Sequence, residues 1–122
     1  MPSQDDFPIV FDQLKSILKV YAQNLTVKAD TADSYYLDGP YSEKWKKEVF
    51  FGSAQIKKIY VSFYLMPVYM YPELLKDISP QLRKRMQGKS CFNFKKAEPA
   101  LFKELAALTR QAAEKFQQEN KK

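Results

Sequence analysis

The stretch Tyr60–Pro72, YVSFYLMPVYMYP, decides how the chain is read: it holds no charged residue and is apolar or aromatic on both faces of an extended strand. Side chains alternate across a strand. Over Ile59–Met66 this puts Ile59, Val61, Phe63 and Leu65 on one face, and Tyr60, Ser62, Tyr64 and Met66 on the other. A sheet covered on one side accounts for the first set as core. The second set asks for another reason. A phenol has an apolar body and a polar tip, which suits a half-wet surface such as a groove or an interface. Tyr60 and Tyr64 are therefore the candidate ligand-binding residues, through ring stacking and hydroxyl contacts. Tyr69 is a third, where Tyr69 and Tyr71 extend the same surface beyond Pro67. The plainer account is that these rings cap the edge of the core with their hydroxyls in water. Pro67 has no N–H, so the strand ends there or lies at an edge from there on.

Working outward, residues 48–56, EVFFGSAQI, read as the preceding strand. Gly52 inside it marks a bulge or a close backbone approach. Residues 25–38, LTVKADTADSYYLD, read as two short strands or a strand with a turn, broken at Asp30 and Asp33. Gly39-Pro40 signals a turn, and residues 40–47 a polar loop carrying the only tryptophan, Trp45. On the other side, Pro72 opens a helical segment, PELLKDISPQLRKRMQ, split at Ser79-Pro80 and ended by Gly88. Residues 89–95, KSCFNFK, read as a strand with Phe92 and Phe94 facing one way, Cys91 and Asn93 the other.

Two longer helices flank these elements. Residues 7–24 repeat Val10, Leu14, Ile17, Leu18, Tyr21 and Leu25 at helical spacing, with Asp5 and Asp6 as caps and Pro8 in the first turn. Residues 99–118 repeat Leu101, Phe102, Leu105, Leu108, Ala112 and Phe116. The order α-β-β-β-β-α-β-α predicts an α+β fold, a mainly antiparallel sheet with helices packed on one side. The 122 residues fit a single domain over 1–122, long enough to bury a core without disulfide or metal, with ends fraying at 1–5 and 119–122.

Composition removes several chemistries. There is no histidine, which excludes Ser-His-Asp and Cys-His catalysis, histidine-ligated zinc and haem held by a proximal histidine. Cys91 is the only cysteine, so no intrachain disulfide forms, which suits a reducing compartment. Lys89 and Lys95 are placed to lower its pKa, but a strand cysteine beside two phenylalanines reads as inert packing. Gly88-Lys89-Ser90 fails as a phosphate loop, because the first glycine of that motif falls at Arg83. With no catalytic motif, the expectation is a protein that is not an enzyme and needs no cofactor. The N-terminus is not of signal-peptide type and no apolar run spans a bilayer, so a cytoplasmic protein with no membrane partner is expected.

The net charge is +6, from 20 basic and 14 acidic residues. Basic runs at 83–85 and 44–47 give a weak, salt-sensitive nucleic-acid binder as one alternative, although no known nucleic-acid motif occurs. Asp30, Asp33 and Asp38, or Asp5, Asp6 and Asp12, offer oxygen ligands to a hard cation, although caps and turns explain the same residues more simply. The favoured expectation is a binding module for a small ligand or a protein partner on the aromatic face; a homodimer would use the same face.

The segments IKKIYVSFYLMPVYMYPELL and SPQLRKRMQGKSCFNF, followed by a final helix with phenylalanines, resemble the YdhG-like family of small bacterial domains. The resemblance covers most of the chain. It implies the same α+β order and carries no catalytic signature. One branch of that family resembles an intracellular iron chaperone of frataxin-like shape, which implies iron handling through exposed acidic residues.

Overall fold

Five antiparallel strands lie side by side in chain order, each paired with the one before it: β1 (Thr26–Asp30), β2 (Ser34–Ser42), β3 (Lys47–Ile56), β4 (Val61–Leu65) and β5 (Cys91–Phe94). The helices are α1 (Phe7–Lys19), α2 (Met66–Met70), α3 (Pro80–Arg83) and α4 (Pro99–Asn120). These come from a computed structural model that describes residues 7–42, 46–88 and 90–120. Asp5, Asp6, Lys44, Trp45 and Lys89 lie outside the described residues, as do 1–5 and 121–122 of the ends expected to fray, while 119–120 belong to α4. The architecture is α+β, in the order that the sequence predicts.

The core lies between one face of the sheet and the helices. Val10, Leu14 and Leu18 repeat at intervals of one helical turn and are fully buried. They meet Leu37, Phe51, Phe63 and Leu65 from the sheet, all without exposed surface. From α4, Phe102 sets its ring edge-on to Phe94 at 4.8 Å, and Phe116 does so to Phe51 at 5.3 Å. Burying each such side chain contributes about 1.5–3 kcal/mol before chain entropy is counted.

Two glycines shape the sheet. Leu37 pairs with Gly52 but Asp38 with Phe50, so Phe51 is an extra residue on β3. A Cβ on Gly52 would lie 2.9 Å from the Tyr64 carbonyl oxygen and 3.1 Å from Leu18 Cδ2. Both expectations for Gly52, bulge and close approach, hold. At Gly39-Pro40 the expected turn is instead a second irregularity within β2, between the pairs Asp38–Phe50 and Tyr41–Glu48. Proline lacks a ladder donor and is tolerated at a bulge, and Gly39 leaves room for the Phe116 ring. The strands therefore run on to Ser42 and resume at Lys47, so the polar loop is shorter than the expected 40–47. The outer strand β1 also shifts register, between Val27 and Ala29.

Three further expectations change. Ile59 is 61% exposed, because the chain turns between Lys57 and Tyr60, closed by a 2.8 Å backbone bond, before β4 begins. Beyond Leu65 the chain coils into α2, with Pro67 in its first turn where no donor is lost. The segment after Pro72 is not a helix up to residue 87. It forms one 3-10 turn (Pro72–Leu75) and α3, then runs extended beside β5. There the Asn93 N–H bonds Arg85 O at 2.7 Å and the Gln87 N–H bonds Cys91 O at 2.9 Å. Pairing with an open sheet edge replaces the helical turns. Gly88, at φ 82°, sits where the chain turns into β5 and does not cap a helix. The first helix likewise stops at Lys19 and yields to a 3-10 turn, Ala22–Asn24. Among the described residues no helix is long and apolar enough to cross a membrane.

Candidate functional site

The face of the sheet turned away from α1 and α4 is the candidate site. Directly opposed residues in antiparallel strands share a face. Ser53 opposes Tyr64 and Tyr64 opposes Cys91, which makes one row across β3, β4 and β5. Gln55 opposes Ser62 and Ser62 opposes Asn93, which makes a second. The two small serines are buried between larger neighbours, while Tyr64, Cys91 and Asn93 keep partial exposure.

Asn93 is the hub of a polar network on this face. Its Oδ1 accepts from the Ser62 hydroxyl at 2.7 Å and from the Cys91 thiol at 3.3 Å. Its Nδ2 donates to Gln87 Oε1 at 2.6 Å. On the β3 side, Lys57 Nζ donates to Gln55 Oε1 at 2.6 Å and stands 6.0 Å from the centre of the Tyr64 ring. No buried side-chain nitrogen or oxygen among the described residues lacks a partner. Each bond holds a side chain in one place, so the face is ordered before anything binds.

Burial pushes the Tyr64 phenol above its ordinary pKa, and the neighbouring Cys91 adds to the effect. Burial also pushes the Cys91 thiol up, against the lowering by Ser62, Tyr64 and the Lys57 charge. Among the described residues, Lys57 is thus the cation that acts on Cys91 rather than the expected Lys95, and the expected Lys89 lies outside them. A thiol held neutral is a poor nucleophile. Further along the face, Tyr36 stacks on Phe50 with ring centres 4.6 Å apart. Next to them burial raises the pKa of Asp38, opposed by the Lys28 charge.

Tyr60 marks where this face opens into a groove of about 770 Å³. The groove lies between the turn that carries Ile59 and Tyr60 and the extended segment beside β5. Lys84, Arg85, Asn93, Lys95 and Lys96 line it with Tyr60. Glu98, the one carboxylate lining it among the described residues, accepts two 2.7 Å bonds from the Arg85 guanidinium, and this pairing holds the Glu98 pKa below its ordinary value.

The three tyrosines do not form one site. Tyr60 and Tyr64 share the open face, and Tyr60 also lines the groove. Tyr69 is 54% exposed on α2, which packs on α4 in the helical layer, so it does not continue that surface. The aspartates are not gathered either. Asp30 is bound to Lys15 at 2.7 Å, Asp33 accepts from Thr31 Oγ1 at 2.9 Å in the turn between β1 and β2, and Asp38 lies at the far end of that hairpin. Among the described residues no three acidic or cysteine side chains come together as a metal site. Gln55, Gln87 and the four groove cations are the residues that sequence reading missed as a group. Strand alternation does place Ser62, Cys91 and Asn93 on the right face, but not opposite one another.

Compared with protein-family models, curated proteins and solved structures, the chain finds no match.

Proposed function

We propose that the chain is a non-catalytic, cytoplasmic binding module that receives its ligand or partner on the open face of the sheet, at Tyr60 and Tyr64. One observation carries this reading. These two rings stay partly exposed on the face away from α1 and α4, beside side chains already fixed by the Asn93 network. Rings with little freedom left to lose bind at a lower entropic cost. Non-catalytic action agrees with the absence of histidine and the neutral Cys91 thiol. A single cysteine suits a reducing cytoplasm. The resemblance to the YdhG-like family is compatible with this reading, and among the described residues no grouping of carboxylates favours its iron-handling branch.

The test is fluorine NMR of the protein labelled with 3-fluorotyrosine, titrated with a set of planar aromatic fragments. Resonances are assigned through Tyr60→Phe, Tyr64→Phe and Tyr69→Phe variants. The expected result is that the Tyr60 and Tyr64 signals move while Tyr69 stays. Shifts confined to Tyr69, or none at all, reject the face as a binding surface. A solution mass of twice the chain, with both signals already broadened in the free protein, assigns the face to a second copy instead.

A further inference from the structure

The open face and the basic groove are continuous, and together they specify a kind of partner. This inference rests on the reading of the face as a binding surface. Among the groove residues, Glu98 is already taken by Arg85. Lys84, Lys95 and Lys96 have no carboxylate within ion-pair distance among the described residues. Glu98 also feels the Lys96 charge, but it is a single carboxylate among four cations, so positive charge remains in excess in the groove and a polyanion relieves the repulsion. Tyr60 lines the same groove, and Tyr64 lies on the same face of the sheet. The amides and hydroxyls beside them are bonded to each other: Asn93 to Ser62, Cys91 and Gln87, and Gln55 to Lys57.

What remains for recognition is therefore cationic charge, the Tyr60 ring and the part of the Tyr64 ring that Lys57 does not cover. Cations take phosphates, and rings take unstacked planar groups. Neither reads base identity. We infer that this surface binds single-stranded nucleic acid with little sequence preference. Phosphates lie along Lys84, Lys95 and Lys96, and bases stack on Tyr60 and Tyr64. A duplex offers the same phosphates but hides its base faces. A free nucleotide offers only one phosphate to an open-sided groove whose cations are spread over two segments.

The experiment uses the full chain and a short fluorescein-labelled oligothymidylate, read by anisotropy from about 50 to 200 mM salt. The expected result is saturable binding that weakens with salt. Lys95→Glu with Lys96→Glu should weaken it and flatten the salt dependence by a slope of about 1.4. Tyr60→Leu and Tyr64→Leu should each weaken it about five-fold or more, while Tyr60→Phe and Tyr64→Phe bind as the parent does. Circular dichroism checks that each variant is folded. Three results overturn the inference: no binding at low salt, a duplex bound as tightly as the single strand, or affinity indifferent to both leucine changes. Thymidine monophosphate displacing the strand at equal nucleotide concentration also overturns it. If the oligonucleotide fails while aromatic fragments still move the Tyr60 and Tyr64 fluorine signals, only the nucleic-acid assignment is lost.

Discussion

Glu104 on α4 holds Ser79 by two hydrogen bonds of 2.6 Å, one from the Ser79 backbone N–H to Oε2 and one from its hydroxyl to Oε1. The same hydroxyl accepts from the Leu82 N–H at 3.1 Å and so caps α3. One serine thus ends the preceding segment, starts the next and ties both to the long helix. Ser79→Ala removes the cap and a charged hydrogen bond, and should cost about 1–3 kcal/mol. Glu104→Ala should cost a similar amount, and the double variant less than the sum, because the two share a partner. Urea unfolding midpoints at unchanged slope measure this; an additive double variant would show that the pair is not coupled.

At Gly52, β3 lies close against both β4 and α1. Gly52→Ala places a methyl against the Tyr64 carbonyl and Leu18, neither able to withdraw without shifting β4 or α1. The expected loss is about 1–3 kcal/mol by thermal or denaturant unfolding. Gly88→Ala meets no atom, but its φ of 82° is unfavourable to alanine, so its smaller loss, about 1 kcal/mol, reflects backbone alone.

The Glu98–Arg85 pair sets an acid limb of stability. Hydrogen bonding to Arg85 keeps the folded-state Glu98 pKa below its unfolded value of about 4.3. As the pH falls, the unfolded chain takes up this proton first. The contribution is complete at neutral pH, begins to fade near about 4.3 and is gone below the folded-state value. Stability of the parent should therefore fall more steeply than that of Glu98→Gln over this window. Parallel curves for the two proteins would show that the pair contributes nothing.

Cys91 should behave as a shielded thiol. With its pKa raised by burial, alkylation by iodoacetamide is expected to be far slower than for a free thiol at pH 7.5, and to keep rising through about pH 9 rather than level off. A plateau at neutral pH would mean an activated thiolate. Asn93→Ala removes the acceptor of the thiol hydrogen and opens the network, and should speed the reaction.

Much of this organisation is legible in the residues themselves. Alternation in β4 and β5 separates Val61, Phe63, Leu65, Phe92 and Phe94 from Ser62, Tyr64, Cys91 and Asn93, because a strand has a strict period of two. The spacing of Val10, Leu14 and Leu18 fixes the buried stripe of α1 in the same way. Ser79-Pro80 is a break by local chemistry alone. What the residues conceal depends on partners distant in the chain. Ile59 continues the alternation on paper, but a turn removes it from the strand. Met66–Met70 has extended-chain composition, yet after Leu65 the chain leaves its ladder with β3 and coils, with Pro67 in the first turn. Arg85–Gln87 continues a helical pattern, yet finds backbone donors and acceptors at the border of β5. Tyr69 joins Tyr60 and Tyr64 as an aromatic of one segment and parts from them once α2 folds onto the helical layer. The groove is invisible for the same reason: its cations come from two segments brought together by the pairing of Arg85 and Gln87 with Asn93 and Cys91.

The register slip between Val27 and Ala29 has a bearing on how molecules of this protein meet. It falls at Lys28, whose ammonium is held by Glu48 at 3.0 Å, on the outermost ribbon of the meander. A kinked and charged border is a poor template for another chain's backbone, so continuous ladder growth from that side is discouraged. A second copy of the chain therefore finds no regular strand border to extend on that side, whatever meets the aromatic face.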